Sequence, residues 1–352
     1  MCSGENLAGA HPLRSILKEN IMWKYLFRRF LSMLFTVWVI SMISFAIIQL
    51  PPGDYVTTLV NQLVAASSGG ATISSEYIEQ VREMYGFNQP MYVQYFKWIG
   101  RILTRGEFGY SFVYKRDAVV MITERLPMSF ALSFASMILV WAVALPIGIY
   151  SAVRQYSLGD YVFSFIGFIG LAVPNFLLAL ILLFITYRYF DQAMIGLFST
   201  EFASAPWSMA KFMDMLKHLW IPATIIGLGG TAGLIRTMRA NLLDELNKPY
   251  VETARSKGLS EGRLLWKYPV RHAMNPFIST IGWALPGFVA GDVIVSIVLN
   301  LPTSGPVLFN ALKAQDMYVA AGFILMLSIL TVIGTFVSDI LLAMLDPRIR
   351  LQ

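Results

Sequence analysis

Six runs of apolar residues divide the chain, at 25–50, 126–150, 161–187, 219–238, 275–300 and 318–345. Each is long enough for the helix of roughly 20 residues that crosses a hydrocarbon layer. The pattern predicts an all-α polytopic membrane protein with six transmembrane helices. Residues 1–21 form a polar extension ahead of a membrane domain over 22–352. They do not read as a cleavable signal, because the apolar run that follows is too long. Between the first two runs, residues 51–125 form an insertion outside the membrane. Pro51-Pro52-Gly53-Asp54 stops the first helix, and 60–75 is rich in Ser, Gly and Ala. A short amphipathic helix is predicted over 76–85, closed by Gly86. A second is predicted over 91–103, with Tyr92, Phe96 and Ile99 at helical spacing.

Composition agrees with the pattern. The chain is 56% hydrophobic and 14% charged, whereas soluble domains carry about 25% charged residues. The net charge of +6 matters less than where the Lys and Arg lie, since short cytoplasmic loops are enriched in both. Arg14, Lys18, Lys24, Arg28 and Arg29 flank the first run, Arg154 follows the second, and Arg348 and Arg350 end the chain. Residues 236–272 add eight more basic residues. The opposite short loops hold only Arg188, Lys211, Lys217 and Lys313. Both termini and the 239–274 loop are therefore expected in the cytoplasm. Cys2 is the single cysteine, so the chain forms no internal disulfide and no Cys-based metal site. His11, His218 and His272 lack ligand spacing, and no metal is expected. No Gly-x-x-x-x-Gly-Lys-[Ser/Thr] loop occurs, so this chain does not cradle ATP phosphates.

The 239–274 loop is the most structured polar stretch. Asn247 is expected to cap a helix, with Pro249 in its first turn. A buried-type Glu252-Thr253-Ala254 run follows, with Glu252 at the positive end of the helix dipole. Gly258 suits a left-handed stop, and Ser260 a second cap. Trp266, Tyr268 and Pro269 lead back to the membrane. Residue chemistry leaves two readings open: a basic hairpin resting on lipid, or an element gripped by another protein.

Glu252-Thr253-Ala254-x-x-x-Gly258 resembles the conserved cytoplasmic loop of bacterial ATP-binding-cassette importer permeases, which fits a cleft in the ATPase subunit. The resemblance extends over nearly all of 22–352. Leu50-Pro51-Pro52-Gly53-Asp54, Tyr85-Gly86-Phe87-Asn88-Gln89-Pro90-Met91-Tyr92-Val93-Gln94-Tyr95, Gly106-Glu107-Phe108-Gly109-Tyr110-Ser111 and Leu345-Asp346-Pro347-Arg348-Ile349-Arg350 are similar to signatures of the dipeptide and oligopeptide permeases. The resemblance implies the binding-protein-dependent importer permease fold, with 51–125 periplasmic and 239–274 as coupling loop. It implies that Glu252, Thr253, Ala254, Gly258 and Leu259 form the ATPase contact. It also implies a second homologous permease, two ATPase subunits or domains carrying ATP and Mg, and a periplasmic solute-binding protein, in a bacterial inner membrane. No cofactor and no nucleic acid are expected on this chain. Ser296 replaces the family's intramembrane Glu, and Pro302-Thr303 its Pro-Gly turn. The same branch also carries oligosaccharides, opines and nickel.

Asp292 lies inside the fifth run, where an ionised carboxylate costs about 2.5–3.5 kcal/mol on insertion scales. It is read either as a cargo contact or as an interhelical bond to a group such as Ser296. Ser296, Asn175 and Gly291 are further candidates for the path. Gly227, Gly229, Gly230 and Gly233 crowd the fourth run, which permits close helix approach. Pro146, Pro174 and Pro286 are candidate kinks. An ion-coupled carrier would need a relay of intramembrane carboxylates, and Asp292 alone reads as clearly buried. A membrane-embedded enzyme would need clustered catalytic groups, and none is evident.

Overall fold

The computed structural model describes residues 10–50, 76, 80, 83, 88–111, 113–190, 195–281 and 293–345. In chain order the elements are α1 (Ala10–Gln49), α2 (Met91–Arg105), a two-residue ribbon of β1 (Tyr110–Ser111) and β2 (Arg116–Asp117), α3 (Ala118–Val153), α4 (Leu158–Ala172), α5 (Asn175–Phe190), α6 (Thr200–Ala203), α7 (Met209–Leu246), α8 (Pro249–Ser256), α9 (Glu261–Lys267), α10 (Pro269–Ala273), α11 (Val293–Val298), α12 (Ser304–Lys313) and α13 (Met317–Leu345). Four helical stretches are long and apolar enough to cross a membrane: Phe27–Gln49, Ala118–Val153, Met209–Leu246 and Met317–Leu342. A fifth arises if α4 and α5 form one broken span. The predicted run 275–300 is helical at 275–281 and again at Val293–Val298. Gly291 and Asp292 lie outside the described residues, as do Pro286 and Gly287.

The α3–α7 pair forms the middle of the bundle, and small residues set its spacing. A Cβ on Gly227 would lie 2.6 Å from Val140, and one on Gly148 would lie 2.6 Å from Met238. These contacts ascend both helices together, so α3 and α7 run parallel and end on the same side. Gly229 and Gly233, by contrast, face open space. α4 crosses α7 in the opposite sense, with Gly170 on Leu228 and Gly167 on Ala232. The last helix lies along α1, where Arg29 pairs with Asp339 at 3.0 Å. Asp339 is thus a second acidic residue inside an apolar run, beyond Asp292, and it already has a partner.

The predicted straight span over 161–187 is instead broken by 100° between α4 and α5. Pro174 is the cause. It disfavours helical geometry at the residue before it, and Val173 is extended at φ −89° and ψ 124°. The proline carbonyl then accepts from Leu177 and Leu178 to restart the helix. In contrast, α3 continues through Pro146 as one element.

The predicted helix over 76–85 falls mostly outside the described residues. The helix expected over 91–103 is present at Met91–Arg105, with Ile99 packed against the core. Tyr92 and Phe96 are exposed, whereas Tyr95 and Trp98 are buried. Phe45 of α1 decides the rotation by stacking on Trp98 at 5.3 Å and meeting Tyr95 edge-on at 5.6 Å. Polar bonds lock it: Ser41 Oγ meets Tyr95 Oη at 2.7 Å, and Trp98 Nε1 donates to the Phe108 carbonyl. Past Gly106 the chain turns onto α13. Gly109 has φ +109° and lies against the Tyr318 ring. Ser111 is fully buried and donates to Asp316 at 2.6 Å, which also accepts from the Val113 amide.

This strap yields a direct test. Replacing Gly109 with Ala puts a Cβ 2.6 Å from the Tyr318 ring in a left-handed backbone. The purified chain should lose about 1–3 kcal/mol of stability, read as a lower thermal-unfolding midpoint in detergent, while Gly106→Ala, with open space around it, should cost less.

Candidate functional site

The polar hairpin at 247–273 follows directly from α7. Asn247 does not cap the new helix. It closes α7 as its C-cap, with its side-chain amide donating to Leu243 O at 3.0 Å. α7 extends beyond the predicted end at 238, which moves the turn along by one residue. Lys248 takes the cap position, extended at φ −81° and ψ 146°. Pro249 occupies the first helical turn as expected, and Glu252 lies in that turn. Ser260 holds the cap position of α9 without a side-chain bond. Its carbonyl accepts from Leu264 N at 2.9 Å.

The turn between α8 and α9 is closed by backbone geometry. Gly258 has φ +78°, a region that costs glycine little. Its amide donates to Arg255 O at 3.0 Å, and the Leu259 amide reaches Ala254 O at 3.5 Å. That pair of bonds is the Schellman arrangement, usually accompanied by an apolar contact across the turn. Here Leu259 packs on a small cluster of Val251, Ala254 and Leu264. The requirement for Ala and Gly at this spacing is therefore explained locally. Ala254 must be small because it is buried at 6% exposure, and Gly258 must reach positive φ.

Of the Glu-Thr-Ala run expected as buried, only Ala254 is. Glu252 and Thr253 point outward, with Thr253 Oγ1 donating to Pro249 O. The exposed face continues through Ser256, Lys257 and Gly258 to Glu261 and Gly262, and a Cβ on Gly262 would meet nothing within 4 Å. Arg255 bridges both carboxylate oxygens of Glu261, at 2.7 and 3.2 Å. Its hydrogen bond holds the Glu261 carboxyl below the usual carboxylate range. This clamp is present at neutral pH and is lost as pH falls through that lowered value.

The hairpin's inner side is tied to the bundle. Tyr250 donates to the Glu245 carboxylate, which also takes the Lys248 ammonium. Burial, and then the Glu245 bond, push the Tyr250 hydroxyl above its ordinary value. Its ring lies 6.4 Å from Tyr268 and 5.8 Å from His272. Below, Leu242, Val270, Ala273 and Phe277 join the core around Ala144 and Met238. A second tie went unpredicted. Asp160, 3% exposed, accepts Arg239 Nε at 3.1 Å and Nη2 at 2.9 Å, as well as the Tyr156 amide. It sits in the first turn of α4 behind its cap, Ser157. A Ser with Asp three residues on was the available signal.

The candidate path residues are not gathered around the hairpin. Asn175 is half-buried at the start of α5, and Ser296 is buried in α11. Their helices share one cluster through Ala179 and Val295.

Two family models match the chain: "Binding-protein-dependent transport system inner membrane component" over residues 144–351, and its N-terminal counterpart over 22–133. The chain is 35% identical to the oligopeptide transport system permease protein AppB of Bacillus subtilis, covering 94% of this chain and 100% of that one. It is 31% identical to the inner membrane ABC transporter permease protein YejB of Escherichia coli O157:H7, over 94% and 100%. It is 26% identical to a nickel import system permease protein NikB of Staphylococcus aureus, over 94% and 92%.

The hairpin and the Asp160 tie can be separated experimentally. Leu264→Ala removes the centre of the small cluster, and such truncations cost about 2–5 kcal/mol in full cores. Amide exchange should rise across 249–267 and stay unchanged in the middle of α3 and α7. Asp160→Asn removes a charge from a largely buried pair and should lower the global unfolding temperature instead. Exchange changes confined to the hairpin in both variants would refute that division.

Proposed function

Because the chain belongs to the binding-protein-dependent transport system inner membrane components, we propose that its hairpin is the handle by which ATPase subunits drive an importer for peptide-like solutes. The observation that carries this is the division of labour in the hairpin. Ala254, Gly258 and Leu259 fix its shape, leaving Glu252 and Thr253 on an outward face. A hairpin serving only as a lipid anchor would turn apolar residues outward. On α8 this one keeps Val251 and Ala254 inside and shows polar groups outward, while the exposed Trp266 lies on the other arm, α9.

In this reading the chain is a non-catalytic, multi-pass inner-membrane subunit with both termini in the cytoplasm. It pairs with a second related permease, and two ATPase subunits or domains bind ATP and Mg. A periplasmic binding protein delivers solute on the side of the 51–125 insertion. Closure of the ATPases pulls the hairpin. α7 transmits the pull because it enters α8 through a single turn and is packed closely on α3. The Asp160–Arg239 pair carries the motion to the broken α4–α5 unit. The bundle then alternates between inward-facing and outward-facing forms, past a path including Asn175, Gly291, Asp292 and Ser296. The higher identity to the oligopeptide relative than to the nickel relative favours peptide cargo. Nickel, sugar or opine transport is the second reading, and a screen of the cognate binding protein's ligands separates these cargoes.

Glu252→Arg should lower ATP-dependent uptake into proteoliposomes about tenfold or more, as expected when a contact charge is reversed at an interface. Gly258→Pro should do the same by destroying the left-handed closure. Both chains should still insert and retain their helix content. Normal uptake in both variants would sink the docking role.

A further inference from the structure

The helix α2 bridges the ends of two membrane spans. Near its start, Gln49, the last residue of α1, donates through Nε2 to Gln94 Oε1 at 2.9 Å. Near its end, the Arg101 guanidinium lies 5.9 Å from the ring centre of Tyr318, the second residue of α13. Arg29 and Asp339 pair about 30 Å further along both helices, so α1 and α13 are antiparallel and Gln49 and Tyr318 stand at one level. α2 therefore lies across the two spans, along the surface of the membrane. Just past it, Gly109 O accepts the Ala118 amide that opens α3. This is thus the face opposite the one where α3 and the hairpin end.

The contacts of α2 also fix which way it faces. Gln94 meets the end of α1, whereas Tyr95 meets Ser41 at 2.7 Å, about 12 Å further into the span. The Tyr95 side of the helix is its deep side and the Gln94 side its shallow one. At 3.6 residues per turn, Tyr92, Phe96 and Leu103 fall within about 40° of one another, next to Tyr95 and away from Gln94. They are 66%, 59% and 80% exposed, and they face the membrane interior. Lys97, Arg101 and Arg105 fall about 160° away, around Gln94, and are exposed on the shallow side. We propose that α2 is sunk into the boundary between headgroups and hydrocarbon, with Tyr92, Phe96 and Leu103 among acyl chains and the three basic residues at the level of the phosphates. An apolar row opposed by Lys and Arg is the arrangement of helices that lie in a membrane surface, and the long stems of both residues reach up to the headgroups. A soluble protein arriving from the water would meet the basic edge and not the apolar row. The placement needs only α1 and α13 as spans, so it stands or falls separately from the hairpin's docking role.

The test uses the full chain with its partner subunits in phosphatidylcholine liposomes. A photoreactive benzoylphenylalanine is introduced in place of Phe96 or Leu103, in place of Lys97 or Thr104 on the other side, and in place of the exposed span residue Ile43 as a reference. After irradiation, mass spectrometry should find lipid adducts severalfold more abundant at positions 96 and 103 than at 97 and 104. The unaltered assembly, irradiated with a phosphatidylcholine carrying a diazirine in its acyl chain, should be labelled at Tyr92, Phe96 or Leu103. Equal lipid adducts on both sides of α2 would overturn the proposal. So would no adduct at 96 and 103 where position 43 gives one, which would mark a water-facing row, or cross-links from 96 and 103 to a protein subunit. An unaltered assembly whose 91–105 segment escapes the diazirine lipid would overturn it as well.

Discussion

The close, parallel contact of Ala118–Val153 with Met209–Leu246 is the constraint on which the rest depends. In a hydrocarbon environment there is little hydrophobic gain from pressing two helices together, so association relies on packing at short range. Gly148 and Gly227 permit that approach at two levels, against Met238 and Val140. Because the two helices run in the same sense, they end together, and the Arg154 turn and the 247–273 hairpin are brought to one side. The hairpin is therefore mounted on a closely packed pair of helices.

The hairpin separates two tasks that the sequence writes into one short motif. Ala254 and Gly258 serve the fold: one is small because a neighbour occupies its space, the other reaches a backbone region closed to most residues. Glu252 and Thr253 face outward. The clamp between Arg255 and Glu261 is exposed, and such pairs add little stability. It links the two arms of the hairpin across the turn. Asp160 acts differently, since its carboxylate is nearly sealed from solvent and paired on both oxygens. Removing its partner would leave a charge with nowhere to go.

Much of this was legible in the residues. Long apolar runs located four spans, and Pro249, Glu252 and Gly258 took the positions their chemistry requires. The errors have physical causes. Tyr92, Phe96 and Ile99 stand at helical spacing on their helix, but Tyr95 and Trp98 are as large and also at helical spacing. Only contact with Phe45, distant in sequence, chooses between the two faces. Pro174 announced a kink, yet nothing local fixes its size at 100°. Asn247 is a good cap for either of two adjoining helices, and the length of the preceding helix settles which. Asp339 could have been found by the reasoning applied to Asp292, whereas its Arg29 partner depends on how the first and last helices meet.

Gly262 has a practical consequence. It lies on the exposed shoulder of the hairpin with nothing within 4 Å of where a side chain would begin. A cysteine at that point would be well removed in sequence from Cys2, the chain's one native thiol, and would directly follow Glu261 of the clamp. A bulky dye or spin label could be carried there without disturbing the fold. The hairpin thus offers a reporter position on the same outward face as Glu252 and Thr253, where a label would sense anything that settles on it.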